Sequence, residues 1–122
     1  MKYLVLLVVL VLGYAWWRAQ RRAEPFGSLL MTALKEAGAE PEMFLPEYGK
    51  DQFEVTCRPA PALSAAHRGS PIRAVTKDVA ALFGWKASFA PKTDPNGFGN
   101  GVHLHVSFTD LDGNPATCDA AR

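Results

Sequence analysis

The sequence predicts an α+β fold, and three observations carry that reading. Its 122 residues leave room for one modest domain. Segments of helical and of strand periodicity mix without the regular strand–helix–strand rhythm of a parallel sheet. The most apolar stretch stands apart at the N-terminus, ahead of a chain that is otherwise ordinary. Hydrophobic residues make up 48% and charged residues 20%, close to globular averages. Much of the apolar share lies before residue 18, so the roughly one hundred residues that follow have a small core with little margin. The net charge of +1 gives no reason to expect a nucleic-acid partner.

The first element is an apolar helix. From Tyr3 to Trp17 the chain is uncharged, about fifteen residues against the roughly twenty of a comfortable membrane span. Snorkelling of Lys2 and slight thinning of the bilayer make up the difference. Tyr14, Trp16 and Trp17 cluster where aromatic rings favour the membrane interface, and Arg18, Arg21 and Arg22 follow. The expectation is an uncleaved anchor over residues 1–22, in the membrane through residues 3–17. The arginine bias places the C-terminal part in the cytoplasm; a cytoplasmic protein without anchorage is the alternative. A cleaved signal peptide fits less well, because bulky tryptophans and arginines occupy the cleavage region. A buried core helix would need a polar face to go with it. The opening also resembles the leaders of very small single-pass bacterial membrane proteins.

Residues 23–27, with Pro25 and Gly27, read as a linker into a domain over residues 28–122. Ser28 is a candidate cap for a helix through "LLMTALKEA", and Gly38 its stop. Prolines at 41, 46, 59 and 61 punctuate the next stretch, inside which "DQFEVTCR" alternates as a strand. Ser70 and Pro71 form a helix start. Ile72, Val75, Val79 and Leu82 recur at helical spacing as its core face, and Gly84 ends it. "WKASFAP" reads as a short strand, "KTDPNGFGNG" as a long polar loop, "VHLHVSF" as a strand and "TDLDGNPATC" as a turn. Cys57 and Cys118 lack a CxxC spacing and read as two reduced thiols. A zinc site built with the histidine pair fits none of the usual ligand spacings.

The chemistry gathers in two places. On a strand, His103, His105 and Ser107 share one face, with Val102, Leu104 and Val106 on the other. The glycines before them allow backbone N–H groups to approach a carboxylate or phosphate. Glu47 precedes a glycine turn, and Gln52 and Glu54 share a face of the following strand. Carboxylates with imidazole suit Mg²⁺ or Mn²⁺, and a metal beside a glycine loop points to phosphoryl transfer. On residue types alone, a solvated histidine pair, a plain loop and two surface glutamates stand as the competing reading.

From about Ser28 onward the chain resembles an internal segment of the glutamine synthetase catalytic domain. "EYGKDQFEV" is similar to the family's paired-glutamate segment. "FAPKTDPNGFGNGVHLHVS" is similar to its ATP-site signature, carried here by Lys92, Gly99, Gly101, His103 and Ser107. The resemblance implies that Glu47 and Glu54 hold one divalent metal and His103 a second. It implies that Gly99 offers backbone contact to the substrate glutamate, and that His105 and Ser107 approach ATP. The implied substrates are ATP, glutamate and ammonia or another amine, joined through γ-glutamyl phosphate, with Mg²⁺ or Mn²⁺ as the metal. No residue is assigned a catalytic role.

The chain departs from the family pattern in several places. Thr93 follows Lys92 where proline is usual, His67 stands in place of an acidic residue, and "RGSP" interrupts the helix between the motifs. In the family a small domain and further metal ligands precede this segment, and substrate-binding arginines follow it. The expectation is therefore a partial catalytic domain of antiparallel strands and helices, not active alone. A membrane-anchored non-catalytic fragment, or a fused or truncated reading frame, is the alternative. A homo-oligomer or association with full-length ligase subunits is expected as assembly.

Overall fold

The structure, a computed structural model, describes residues 2–117; Cys118 lies outside them. Four elements follow in order: α1 (Lys2–Glu36), β1 (Pro41–Pro46), β2 (Phe53–Cys57) and α2 (Ala62–Leu82). The α+β prediction holds. The two strands form one antiparallel hairpin, Phe44 opposite Val55 and Leu45 opposite Glu54, with a bulge between Pro41 and Met43.

α1 is a single helix of 35 residues with Pro25 inside it, about 52 Å long at the α-helical rise. The expected linker at 23–27 and the expected cap at Ser28 are both replaced by helix. The Ser28 carbonyl accepts a bond from the Thr32 hydroxyl at 3.0 Å, as an interior position does. The cause is packing. Ala23, Phe26, Leu30 and Leu34 fall on one stripe and are buried, and burial of such a stripe outweighs local breakers. Gly27 sits in the same turn because the Phe44 ring crosses it; a Cβ there would lie 2.5 Å from that ring.

Both helices end in the same way, as Gly38 and Gly84 predict. Each glycine is left-handed, at φ +73° and +68°. Ala39 N–H donates to the Leu34 carbonyl and Gly38 N–H to Lys35. Trp85 N–H likewise donates to Ala80 and Gly84 N–H to Ala81. These are paired Schellman bonds, and the buried contact of Ala39 with Leu34 is their usual hydrophobic companion.

β1 was not expected, because Pro41 and Pro46 bracket it. Prolines at strand ends cost no needed ladder donor. α2 begins at Ala62, nine residues before Pro71, so Ser70–Pro71 is not its start. Its first half is held from outside. The half-buried Arg68 guanidinium donates to the Arg58 carbonyl at 2.8 Å and to Glu40 Oε2 at 2.7 Å. Of the expected core face, Val79 is buried and Ile72 and Val75 pack against the core. Leu82 points out, and Ala80 and Phe83 take its place. Phe26 is the hub, with ring centroids 5.8 Å from Phe44, 5.7 Å from Phe83 and 5.1 Å from Trp85.

Beyond Trp85 the structure departs from expectation. Neither "WKASFAP" nor "VHLHVSF" forms a strand. No strand partners them among the described residues, and without a neighbour an extended segment leaves its ladder groups to water. Val102 at φ +48° also breaks the extended run. The turn after Phe108 does form: Asp110 Oδ1 accepts from the N–H groups of Asp112 and Asn114, and Thr109 bridges Pro115.

At the other end, Leu4 to Leu12 and Tyr14 are exposed on α1. Among the described residues no helix is long and apolar enough to cross a membrane. The spanning helix expected through residues 3–17 is thus not found among them.

Candidate metal and nucleotide site

The turn of the hairpin and the glycine loop meet through one side chain. The turn closes with Glu47 N–H donating to the Gln52 carbonyl at 2.9 Å. Gln52 then reaches in two directions. Its Oε1 accepts from Gly49 N–H at 2.8 Å, and its Nε2 donates to the Gly99 carbonyl at 3.1 Å and to Asn100 Oδ1 at 2.8 Å. Asn100 passes the tie onward. Its N–H donates to the Pro91 carbonyl at 2.7 Å and its side-chain amide to the Ala90 carbonyl at 2.6 Å. The loop is thereby drawn closed at its neck. A Cβ at Gly99 would lie 2.9 Å from the Pro91 carbonyl, so that closure requires glycine. The rings of Tyr48 and Phe98 sit side by side, 6.1 Å between centroids, across the same junction.

This junction positions the predicted carboxylates. Glu47 leaves β1 and Glu54 lies on β2. The Glu54 carboxyl is held above the ordinary carboxylate range. The largest cause is a hydrogen bond with the Glu47 side chain, followed by partial burial and the Glu47 charge; His103 and His105 oppose the shift. The two carboxyls therefore face each other, and both imidazoles lie close enough to act on Glu54. Like charges so placed share a proton or take up a cation. In donor chemistry the pair suits a hard divalent ion such as Mg²⁺ or Mn²⁺.

The set is partial. Among the described residues no three His, Cys, Asp or Glu side chains group tightly enough to hold a metal ion. The His103 ring lies over Gly101, at the place a Cβ would occupy. His105 and Ser107 lie on the exposed segment, and so do Val102, Leu104 and Val106, so the expected apolar face packs on nothing described. Cys57 is a half-buried free thiol whose pKa burial raises.

Sequence reasoning placed Gln52 on one face with Glu54 but did not name it among the site residues; the signal was an amide two residues before a glutamate, after a glycine turn. Asn100, between two glycines, was missed in the same way. An open pocket of about 540 Å³ lined by Lys35, Glu40, Pro41, Glu42 and Arg58 lies at the opposite end of the hairpin. Its carboxylates already have arginine partners.

Residues 11–122 match the family described as glutamine synthetase, catalytic domain. The match begins inside the segment expected to be a separate leader. The chain is 40% identical over 78 residues to the gamma-glutamylpolyamine synthetase of Streptomyces coelicolor, covering 64% of this chain and 17% of that protein. It is 41% identical over 70 residues to the glutamine synthetase of Thermococcus kodakarensis (57% and 16%). It is 32% identical over 82 residues to a glutamate–isopropylamine ligase of a Pseudomonas species (67% and 18%). A solved structure described as a novel glutamine synthase homolog superimposes with a TM-score of 0.75 at 52% identity, over 80% of this chain and 23% of that one. The chain thus spans about a fifth of the length of the relatives it matches.

Proposed function

The chain belongs to the glutamine synthetase catalytic-domain family, and on that premise we propose that its residues supply part of the site of an ATP-dependent carboxylate–amine ligase. The single observation that carries this reading is the facing pair Glu47–Glu54, tied by Gln52 to the loop of Gly99 and Asn100. In that reaction a side-chain carboxylate oxygen of glutamate attacks the γ-phosphorus of ATP. The bond to the β-phosphate oxygen breaks, and ADP leaves. An amine nitrogen then attacks the acyl carbon of γ-glutamyl phosphate, gives up a proton, and displaces phosphate to leave the amide. The amine is ammonia or a larger amine; relatives of both kinds match this chain.

Glu47 and Glu54 would hold one divalent metal, and His103 would face a second on the phosphate side. Bound Mg²⁺ or Mn²⁺ supplies charge neutralisation for the transferring phosphoryl group. Gly99 offers backbone to the glutamate, with its carbonyl position fixed by Gln52. His105 and Ser107 approach the nucleotide. Taken alone, the chain binds metal and nucleotide without turnover, and the site faces the cytoplasm, where ATP is available. The test is Mn²⁺ titration of the full chain, the Glu54→Ala variant and the His103→Ala variant. We expect Glu54→Ala to weaken binding by roughly tenfold or more. Unchanged affinity in both variants overturns the reading.

A second reading is favoured by the exposed Val102, Leu104, Val106, Phe108 and Leu111: a non-catalytic element that pairs with ligase-length subunits or with its own copies through this strand-like edge. It predicts co-purification with such subunits that Glu54→Ala leaves intact.

A further inference from the structure

We infer that the N-terminal half of α1 is an anchor embedded in lipid, and that the same helix continues into the catalytic-domain core. The first observation is how the apolar side chains are exposed. Every residue from Leu4 to Leu12 is a leucine or valine, and each is 47–66% exposed. Consecutive helical positions are about 100° apart, so these residues cover the whole circumference. A groove on another protein, or a second copy packed alongside, covers one stripe and leaves the rest in water. A helix lying in the headgroup plane needs a polar face, which this stretch lacks. A hydrocarbon phase is the solvent that satisfies all sides at once. The flanks agree with that partner: Lys2 stands before the run, Arg18, Arg21 and Arg22 stand after it, and the first acidic residue is Glu24. Cations so placed suit anionic phospholipid headgroups.

The second observation is continuity. α1 runs through Pro25 into the stripe of Phe26, Leu30 and Leu34 that forms the core. From Tyr14 to Phe26 the axial rise is about 18 Å. The core therefore follows the anchor along one continuous helix, which carries Pro25 within it.

The experiment is flotation of the purified full chain with vesicles of equal phosphatidylcholine and phosphatidylglycerol, comparing it with Leu6→Asp, Leu7→Asp, Val8→Asp and Val9→Asp. These four substitutions go once round the helix. The wild-type chain is expected to float, and each variant to lose vesicle binding by about tenfold or more. Loss confined to one or two neighbouring positions identifies a protein stripe and overturns the inference, as does a wild-type chain that stays unbound. These positions lie far from the hairpin, so Mn²⁺ titration of each variant reports separately on the ligase reading and is expected to match wild type.

Discussion

Leu34 and Leu104 are the same side chain in two settings. Leu34 is wholly buried among Phe26, Leu30 and Ala39, whereas Leu104 is 85% exposed. The difference divides the molecule. From Ala23 to Trp85, helices and hairpin supply one another with apolar partners and capped ends. From Lys86 to Thr117 the chain carries equally strand-like residues, yet among the described residues no strand pairs with them. Composition made both regions look foldable. What separates them is whether a neighbour arrives to satisfy the backbone and cover the side chains.

The sharpest way to break that comparison is truncation on both sides of it. Leu34→Ala is expected to cost about 2–5 kcal/mol in urea unfolding, through lost burial and the cavity left behind. Leu104→Ala should stay within about 0.5 kcal/mol, as exposed positions do. Equal costs would mean the second region is packed after all. Gly27→Ala comes next. The new methyl group meets the Phe44 ring, which Phe26 and Phe53 hold in place. Overpacking of roughly 1–3 kcal/mol exceeds the helix-propensity gain of about 1 kcal/mol, so the melting temperature should fall.

Gln52→Ala sharpens the boundary itself. It removes the bonds to Gly99 and Asn100 that tie the two regions. A loss of about 1–2 kcal/mol is expected, and the amide of Asn100 should exchange faster while those of α2 do not change. The smallest effect is at Glu54. Its pKa is raised in the folded state above the ordinary value of 4.5, so the protonated group favours the fold. That contribution is present below the unfolded value and is lost as pH rises through the folded one. Glu54→Gln, whose amide donates to Glu47, should therefore stabilise the protein at neutral pH by a few tenths of a kcal/mol after screening. It should flatten the acid side of the stability–pH profile, while weakening Mn²⁺ binding.

Much of this was legible in the sequence, for identifiable reasons. Gly38 and Gly84 announced both helix ends because only a residue without Cβ takes that conformation at no cost. The β2 alternation followed from local pattern, and the Glu47–Glu54 pair from the resemblance of "EYGKDQFEV" to the family's paired-glutamate segment. Pro25 and Pro71 misled, because a buried stripe and an arginine tie from outside outweigh a missing N–H, and such partners are distant in sequence. The histidine segment misled in the opposite sense: its alternation is genuine, but strand formation is a property of a pair. The tie that Gln52 makes could not be read locally, since its acceptors lie far along the chain.

That distance bears on the order of assembly. Gln52 and its acceptors are separated by 47 and 48 residues, whereas the hairpin closes over a few and the helices over four. Ordering so long an intervening stretch for a few polar bonds is entropically the least favourable step. The scaffold should therefore form first and the junction last. On the return path the junction should open first, while the core is still intact, which gives the site a private equilibrium between open and closed forms beneath the global one.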